Sequence, residues 1–250
     1  MREDGFGESA LTAQGPVPNP KSLGKQVAVG PQQLGSVRYR RIRQLGQGGM
    51  GIVYEVHDTL LDRRVALKTI RSEDPELLYR LKREFRSLAD LRHPNLTELY
   101  ELIVDGGACS YTMELIDGVD FVQTCRRGEL APGARALFDE GQLRDGLAQL
   151  AAGLDALHAA AKIHRDVKPS NVLVARSGRV VLLDFGLVAD LSEPRNATLT
   201  AHLVGTAAYM APEQAEPLSE VGEAADWYGM GVILYEVLTG TCPFEGGMLR

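Results

Sequence analysis

An α+β fold is predicted for this chain of 250 residues: a small β-rich lobe over 38–115 with one helix in it, then a larger, mainly helical lobe over 116–250. Three observations predict it. Runs of β-branched residues bounded by turn signals fill the first lobe. From Val119 onward apolar residues recur at helical spacing instead. Residues 1–37 are rich in Gly, Pro, Ser and Gln, with Pro16, Pro18 and Pro20 breaking any regular pattern, and read as a disordered leader. A small β lobe feeding a helical lobe places a ligand cleft at their junction.

The elements follow in order. Arg38–Leu45 is a strand, 46–51 a turn, Ile52–His57 and Val65–Ile70 two further strands of a meander. Pro75–Leu91 is a helix, because Leu77, Leu78, Leu81, Phe85 and Leu88 fall on one face. Leu96–Val104 and Ser110–Leu115 are strands around the turn Asp105-Gly106-Gly107. Gln142–Ala161 aligns Leu143, Leu147, Leu150, Leu154 and Leu157 as a long buried helix. Short strands at Val172–Ala175 and Val180–Leu183 flank Ser177-Gly178, an irregular stretch runs from Asp184 to Glu213, and Ala224–Leu238 forms the last helix.

Apolar residues make up 44% and charged residues 24%, as in ordinary globular proteins. The net charge of -6 gives no polybasic surface for nucleic acid or anionic membrane. The most apolar helical run, Met230–Leu238, is short and contains Glu236, so no membrane segment is expected. The first residues lack the apolar core of a signal peptide. Cys109, Cys125 and Cys242 are odd in number and widely spaced, which predicts thiols in a reducing cytoplasm rather than a disulfide framework or a zinc site. His57, His93, His158 and His202 also lack metal-ligand spacing.

Chemistry concentrates in His164-Arg165-Asp166-Val167-Lys168-Pro169-Ser170-Asn171 and in Asp184-Phe185-Gly186. Two carboxylates, a lysine and an asparagine at these spacings suit a site that binds a metal and a triphosphate while activating a hydroxyl nucleophile. Upstream, Gly46-x-Gly48-x-x-Gly51-x-Val53 lets backbone N–H groups lie close over phosphates. By itself it reads first as a plain hairpin turn. The strand that follows it argues against a dinucleotide fold, and it has no Gly-Lys-Ser/Thr for a Walker A loop.

Together with Val65-Ala66-Leu67-Lys68, these motifs in this order resemble the protein kinase family from about Arg38 to Arg250, and Asp166-x-Lys168 resembles its serine/threonine branch. Gly205-Thr206-Ala207-x-Tyr209-Met210-Ala211-Pro212-Glu213-Gln214 is similar to the bacterial, receptor-type members. The resemblance implies a two-lobed kinase fold and ATP with Mg2+ as cofactors. It implies Asp166 as the group that accepts or orients the substrate hydroxyl proton, Lys168 as the cation beside the transferred phosphoryl, and Asn171 and Asp184 as metal ligands. Lys68 would reach the phosphates and Glu84 would hold it there. Val53, Ala66 and Leu173 would enclose the adenine, Met113 would guard the rear of its pocket, backbone groups of Glu114 and Ile116 would meet its edge, and Asp120 would reach the ribose. His164 and Phe185 would join Leu88 and Leu99 in an internal column. Asp226 would bond backbone near His164 and Arg165, with Trp227 in the core.

The resemblance also assigns Asp184–Glu213 to an activation segment. Thr198 and Thr200 are its candidate phosphosites, Arg165 the guanidinium that would receive a phosphate there, and Thr206 the contact to the catalytic aspartate and lysine; the other reading is an unmodified polar loop. Ser170 stands where basophilic members carry glutamate, so no preference for basic substrates is implied. The partners implied are ATP, a protein bearing Ser or Thr, and a second copy in an autophosphorylation dimer.

The family's last helices are not in the sequence, which stops soon after Gly240-Thr241-Cys242-Pro243-Phe244. A truncated helical lobe, a fragment of a longer kinase, and an unpaired buried Glu213 are therefore expected, with weak stability and activity. The expected function is serine/threonine protein phosphorylation. The alternatives are a non-catalytic nucleotide-binding scaffold and a small-molecule kinase akin to aminoglycoside phosphotransferases, which generally lack the Ala-Pro-Glu segment.

Overall fold

The computed structural model describes residues 38–48, 51–70, 75–105, 108–126, 138–184, 207–216 and 219–244. The expected leader, Phe185, Thr198, Thr200 and Thr206 lie outside these residues.

Five antiparallel strands form the first sheet in the order β1-β2-β3-β5-β4. They are β1 (Tyr39–Gly48), β2 (Gly51–Asp58), β3 (Arg63–Ile70), β4 (Leu99–Asp105) and β5 (Ala108–Met113). Helix α1 (Pro75–Ala89) is inserted between β3 and β4. A second sheet of three strands joins β6 (Gly118–Asp120), β7 (Val172–Ala175) and β8 (Val180–Leu182). Among the described residues the remaining helices are α2 (Phe121–Cys125), α3 (Glu140–Ala159), α4 (Pro212–Ala215) and α5 (Ala224–Thr239), with tight single turns at Pro169–Asn171 and Ala207–Tyr209.

Three differences from the expected elements have physical causes. β1 runs to Gly48, because Gly46, Gln47 and Gly48 still pair with Val53, Ile52 and Gly51. β4 starts at Leu99 rather than Leu96, because the chain before it leaves the first sheet. Leu96 instead bridges Leu182 of β8, and the Leu182 N–H donates to the Asn95 carbonyl (2.9 Å) while the Thr97 N–H donates to Leu182 (3.0 Å). The Asn95 amide adds bonds to the Val180 carbonyl (2.7 Å) and Gln149 (3.0 Å). β6 and α2, at three and five residues, are too short for periodicity to show.

One core runs from α1 through β4 and β5 to α3 and α5, and includes Leu81, Phe85, Leu88, Leu99, Tyr111, Met113, Leu150, Leu154, Leu157, Ile233 and Val237. Trp227 is not part of it, being 40% exposed. Asp226 faces inward, and a helical step of about 100° turns its neighbour toward the surface. Glu213 is likewise only partly buried, contrary to expectation.

At the sheet edge Arg38 donates two bonds of 2.8 Å to buried Asp58 and one of 2.6 Å to Glu101, which also accepts from the Tyr39 hydroxyl (2.8 Å). The hydrogen-bonded guanidinium holds the Asp58 carboxyl below its ordinary range, against burial, which pushes it up. A depressed carboxylate contributes stability above the unfolded pKa of about 4 and loses it as pH falls through the folded value. Asp58→Asn is therefore expected to be less stable than the parent at pH 6, with the gap closing below about pH 4. Urea melts across that range check this, and a gap constant with pH would refute it.

Candidate active site

The loop bearing Asp166 is fastened to the start of α5. Asp226, fully buried in the first turn of that helix, accepts from the backbone N–H of His164 (2.8 Å) and of Arg165 (2.7 Å) and contacts His158 Nε2 at 2.7 Å. Arg165 adopts a left-handed backbone (φ 63°), costly for a side-chain-bearing residue and held here by those bonds. Gly229, one turn on, lets α5 lie against the loop, since a Cβ there would sit 2.7 Å from the Val167 carbonyl oxygen. His164 is buried with Nε2 2.8 Å from the Leu183 carbonyl and Nδ1 3.2 Å from the Asp166 N–H. These bonds hold the ring in place, which fits a structural role. Leu88 and Leu99 are buried in the common core.

Two of the expected groups converge on Asp166. Its Oδ2 contacts Lys168 Nζ at 2.8 Å and accepts from Asn171 Nδ2 at 2.9 Å. Asn171 Nδ2 also donates to the Asp166 carbonyl (2.8 Å), so both amide hydrogens are used and the amide oxygen is what Asn171 can offer a metal. Asp166 Oδ1 is buried and has no hydrogen-bond partner among the described residues. A backbone bond from Leu183 to the Asn171 carbonyl (2.8 Å) ties this loop to the residue before Asp184.

Lys68 meets Asp184, with Nζ 2.8 Å from Oδ2. Asp184 is itself left-handed (φ 55°), and its Oδ1 accepts from the Tyr111 hydroxyl at 3.2 Å. Burial, together with the Asp184 carboxylate, pushes the Tyr111 phenol well above its ordinary value, so the hydroxyl is the donor. The expected Lys68–Glu84 pair is not formed. The nearly buried Glu84 pairs instead with Lys162 (2.8 Å), and Arg83 stands 3.6 Å away. Lys68 is engaged by Asp184, and Lys162 takes its place at Glu84. Lys162→Met is expected to destabilise the protein by about 1–3 kcal/mol, because a buried carboxylate loses its partner. Urea melts measure this, and no loss would mean that Glu84 finds Lys68 instead.

The other expected residues lie on the strands of the two sheets and in the segment after β5. Val53 is the cross-strand partner of Lys68, and Ala66 that of Met113. The Glu114 N–H donates to the Glu98 carbonyl (2.8 Å) and its side chain pairs with Arg179, so its own carbonyl is what remains for an adenine edge. Leu173 pairs across the second sheet with Asp120, whose Oδ1 caps α2 by accepting from Gln123 (2.9 Å). Ile116 is partly buried in the segment after β5. Gly46 and Gly48 face open space, whereas a Cβ at Gly51 would overlap the Thr69 carbonyl on a backbone of φ 154°. Sequence reasoning missed Tyr111 and Lys162. A hydroxyl-bearing ring beside Lys68 in register was the only signal for the first, and the second carries none.

A β lobe with one helix, joined to a helical lobe whose loop gathers Asp166, Lys168 and Asn171, defines the protein kinase class. The protein kinase domain family matches residues 39–248, and the chain belongs to that family. Bacterial kinases are among its relatives. A probable serine/threonine-protein kinase of Streptomyces coelicolor, SCO3848, is 39% identical over 224 residues, 86% of this chain and 32% of that protein. The serine/threonine-protein kinases PknE and PknA of Mycobacterium tuberculosis are 38% and 37% identical, over 87% and 84% of this chain and 37% and 49% of theirs. The chain thus spans about a third to a half of the length of these relatives. A crystal structure of the Mycobacterium tuberculosis PknI kinase domain, as a point mutant, superposes with a TM-score of 0.61 at 28% identity, covering 84% of this chain and 76% of that one.

Proposed function

We propose that this chain transfers the γ-phosphoryl group of ATP, with Mg2+, to a serine or threonine hydroxyl of a protein. One observation carries the reading: Asp166 is pinned through Oδ2 by Lys168 and Asn171, while Oδ1 has no partner among the described residues. On this reading that oxygen accepts the hydroxyl proton, and the Lys168 ammonium offsets the charge that develops on the transferred group. Asn171 and Asp184 offer a neutral amide oxygen and a carboxylate, a hard donor set that fits magnesium and leaves room for phosphate and water. When bound, the ion supplies charge neutralisation on the phosphate oxygens. Lys68 positions the phosphates after exchanging Asp184 for them, and Glu84 supports it on leaving Lys162. Ala66, Val53, Leu173 and Met113 hold the adenine, and Gly46, Gly48 and Gly51 keep backbone over the phosphates.

Regulation belongs to the same reading. Phosphorylated Thr198 or Thr200 pairs with Arg165, Thr206 contacts the Asp166 and Lys168 pair, and a second copy of the chain delivers the phosphate. Three free thiols suit a cytoplasmic location. Among the described residues no helix is long and apolar enough to cross a membrane. Radiolabelled ATP with a Ser/Thr peptide tests the reading: acid-stable incorporation is expected and is lost in Asp166→Asn. Labelling that survives this substitution would overturn it.

A further inference from the structure

Tyr111 lies at the centre of β5 as the cross-strand partner of Lys68 on β3. Directly opposed residues on paired strands project from the same face, so the phenol and the ammonium stand side by side. Both reach Asp184 and divide its carboxylate: Lys68 takes Oδ2 at 2.8 Å and the Tyr111 hydroxyl takes Oδ1 at 3.2 Å. The Tyr111 ring, fully buried, packs at 6.0 Å and 54° against Phe85, the residue after Glu84 on α1.

We propose that Tyr111 is a positioning residue for the metal-ligating carboxylate, its hydroxyl fixing the rotation of Asp184 and so setting the affinity of the divalent-cation site. This rests on the reading above that Asp184 takes the metal. The two partners of Asp184 differ in kind. Lys68 is a cation and competes with a metal for the same oxygen. The phenol is neutral and uses one lone pair of Oδ1, leaving others on both oxygens for a metal. The left-handed backbone of Asp184 gives its side chain no support from regular structure, so its orientation depends on what it touches. Hydrogen-bond partners of metal-binding carboxylates act in this way, and removing one typically costs about 10–100-fold in metal affinity.

The test is direct cation binding. Mn2+ is titrated into the full chain in the presence of a non-hydrolysable ATP analogue and followed by electron paramagnetic resonance. Tyr111→Phe keeps the ring against Phe85 and removes only the hydroxyl. Its Mn2+ dissociation constant is expected to rise about tenfold or more, with metal-free nucleotide binding unchanged. Tyr111→Met, which fills the space without a hydroxyl, must show the same weakening. A role confined to packing would shift the melting temperature and leave the Mn2+ titration within twofold of the parent, and that result overturns the proposal. Asp184→Asn separates the two readings. If it loses Mn2+ while Tyr111→Phe does not, only the role of Tyr111 falls; if it binds Mn2+ as the parent does, the metal assignment itself falls.

Discussion

Asp166→Asn is expected to lower phosphoryl transfer by about 10²–10⁴-fold, the range for loss of a positioned general base. Asparagine has nearly the same shape and can still accept from Asn171, so the loop should keep its conformation. What it lacks is an oxygen basic enough to take the proton at the Oδ1 position, and the charge that holds Lys168 at 2.8 Å. The deficit should therefore fall on turnover, with the apparent affinity for ATP changed by less than about threefold, as for an interaction made only in the transition state. Single-turnover transfer from radiolabelled ATP measures this. A loss smaller than tenfold, or one carried mainly by ATP binding, would remove Asp166 from the role of proton acceptor.

Asp226→Ala is expected to have the largest effect on stability, about 3–5 kcal/mol. The carboxylate accepts from the buried backbone N–H of His164 and the part-buried one of Arg165, and contacts His158. Each orphaned buried donor costs about 1–3 kcal/mol. The left-handed Arg165 would lose the bond that offsets its backbone strain. Against a usual total of about 5–15 kcal/mol this is a large share, equivalent to roughly 6–20 °C in melting temperature at this chain length. Asp226→Asn should lose less, since an amide oxygen can still accept one of the backbone bonds. Denaturant melts of both variants check the order, and a loss below 1 kcal/mol for the alanine variant would show that the loop is anchored elsewhere.

Much of the site was legible in the sequence because its spacing is local. Asp166, Lys168 and Asn171 fall within six residues, and a loop that short closed by a tight turn at Pro169–Asn171 brings them together in few ways. The long helix α3 was equally legible, since five leucines at helical spacing leave one buried face. β6 and α2 were not, because elements of three and five residues carry no period. Trp227 was misplaced because composition favours burying tryptophan, whereas the register of α5 is set by Asp226 and Gly229 facing the loop.

The sequence by itself determined which groups the candidate site brings into question, their order along the chain and most of the elements that carry them, since periodicity and local spacing are properties of neighbouring residues. Only the tertiary structure decided which charges meet. Glu84 and Lys162 are 78 positions apart and Tyr111 and Asp184 are 73 apart, and their contacts exist because β5 and α1 pack where they do. A lysine side chain can reach any of several carboxylates, and packing distance chooses among them.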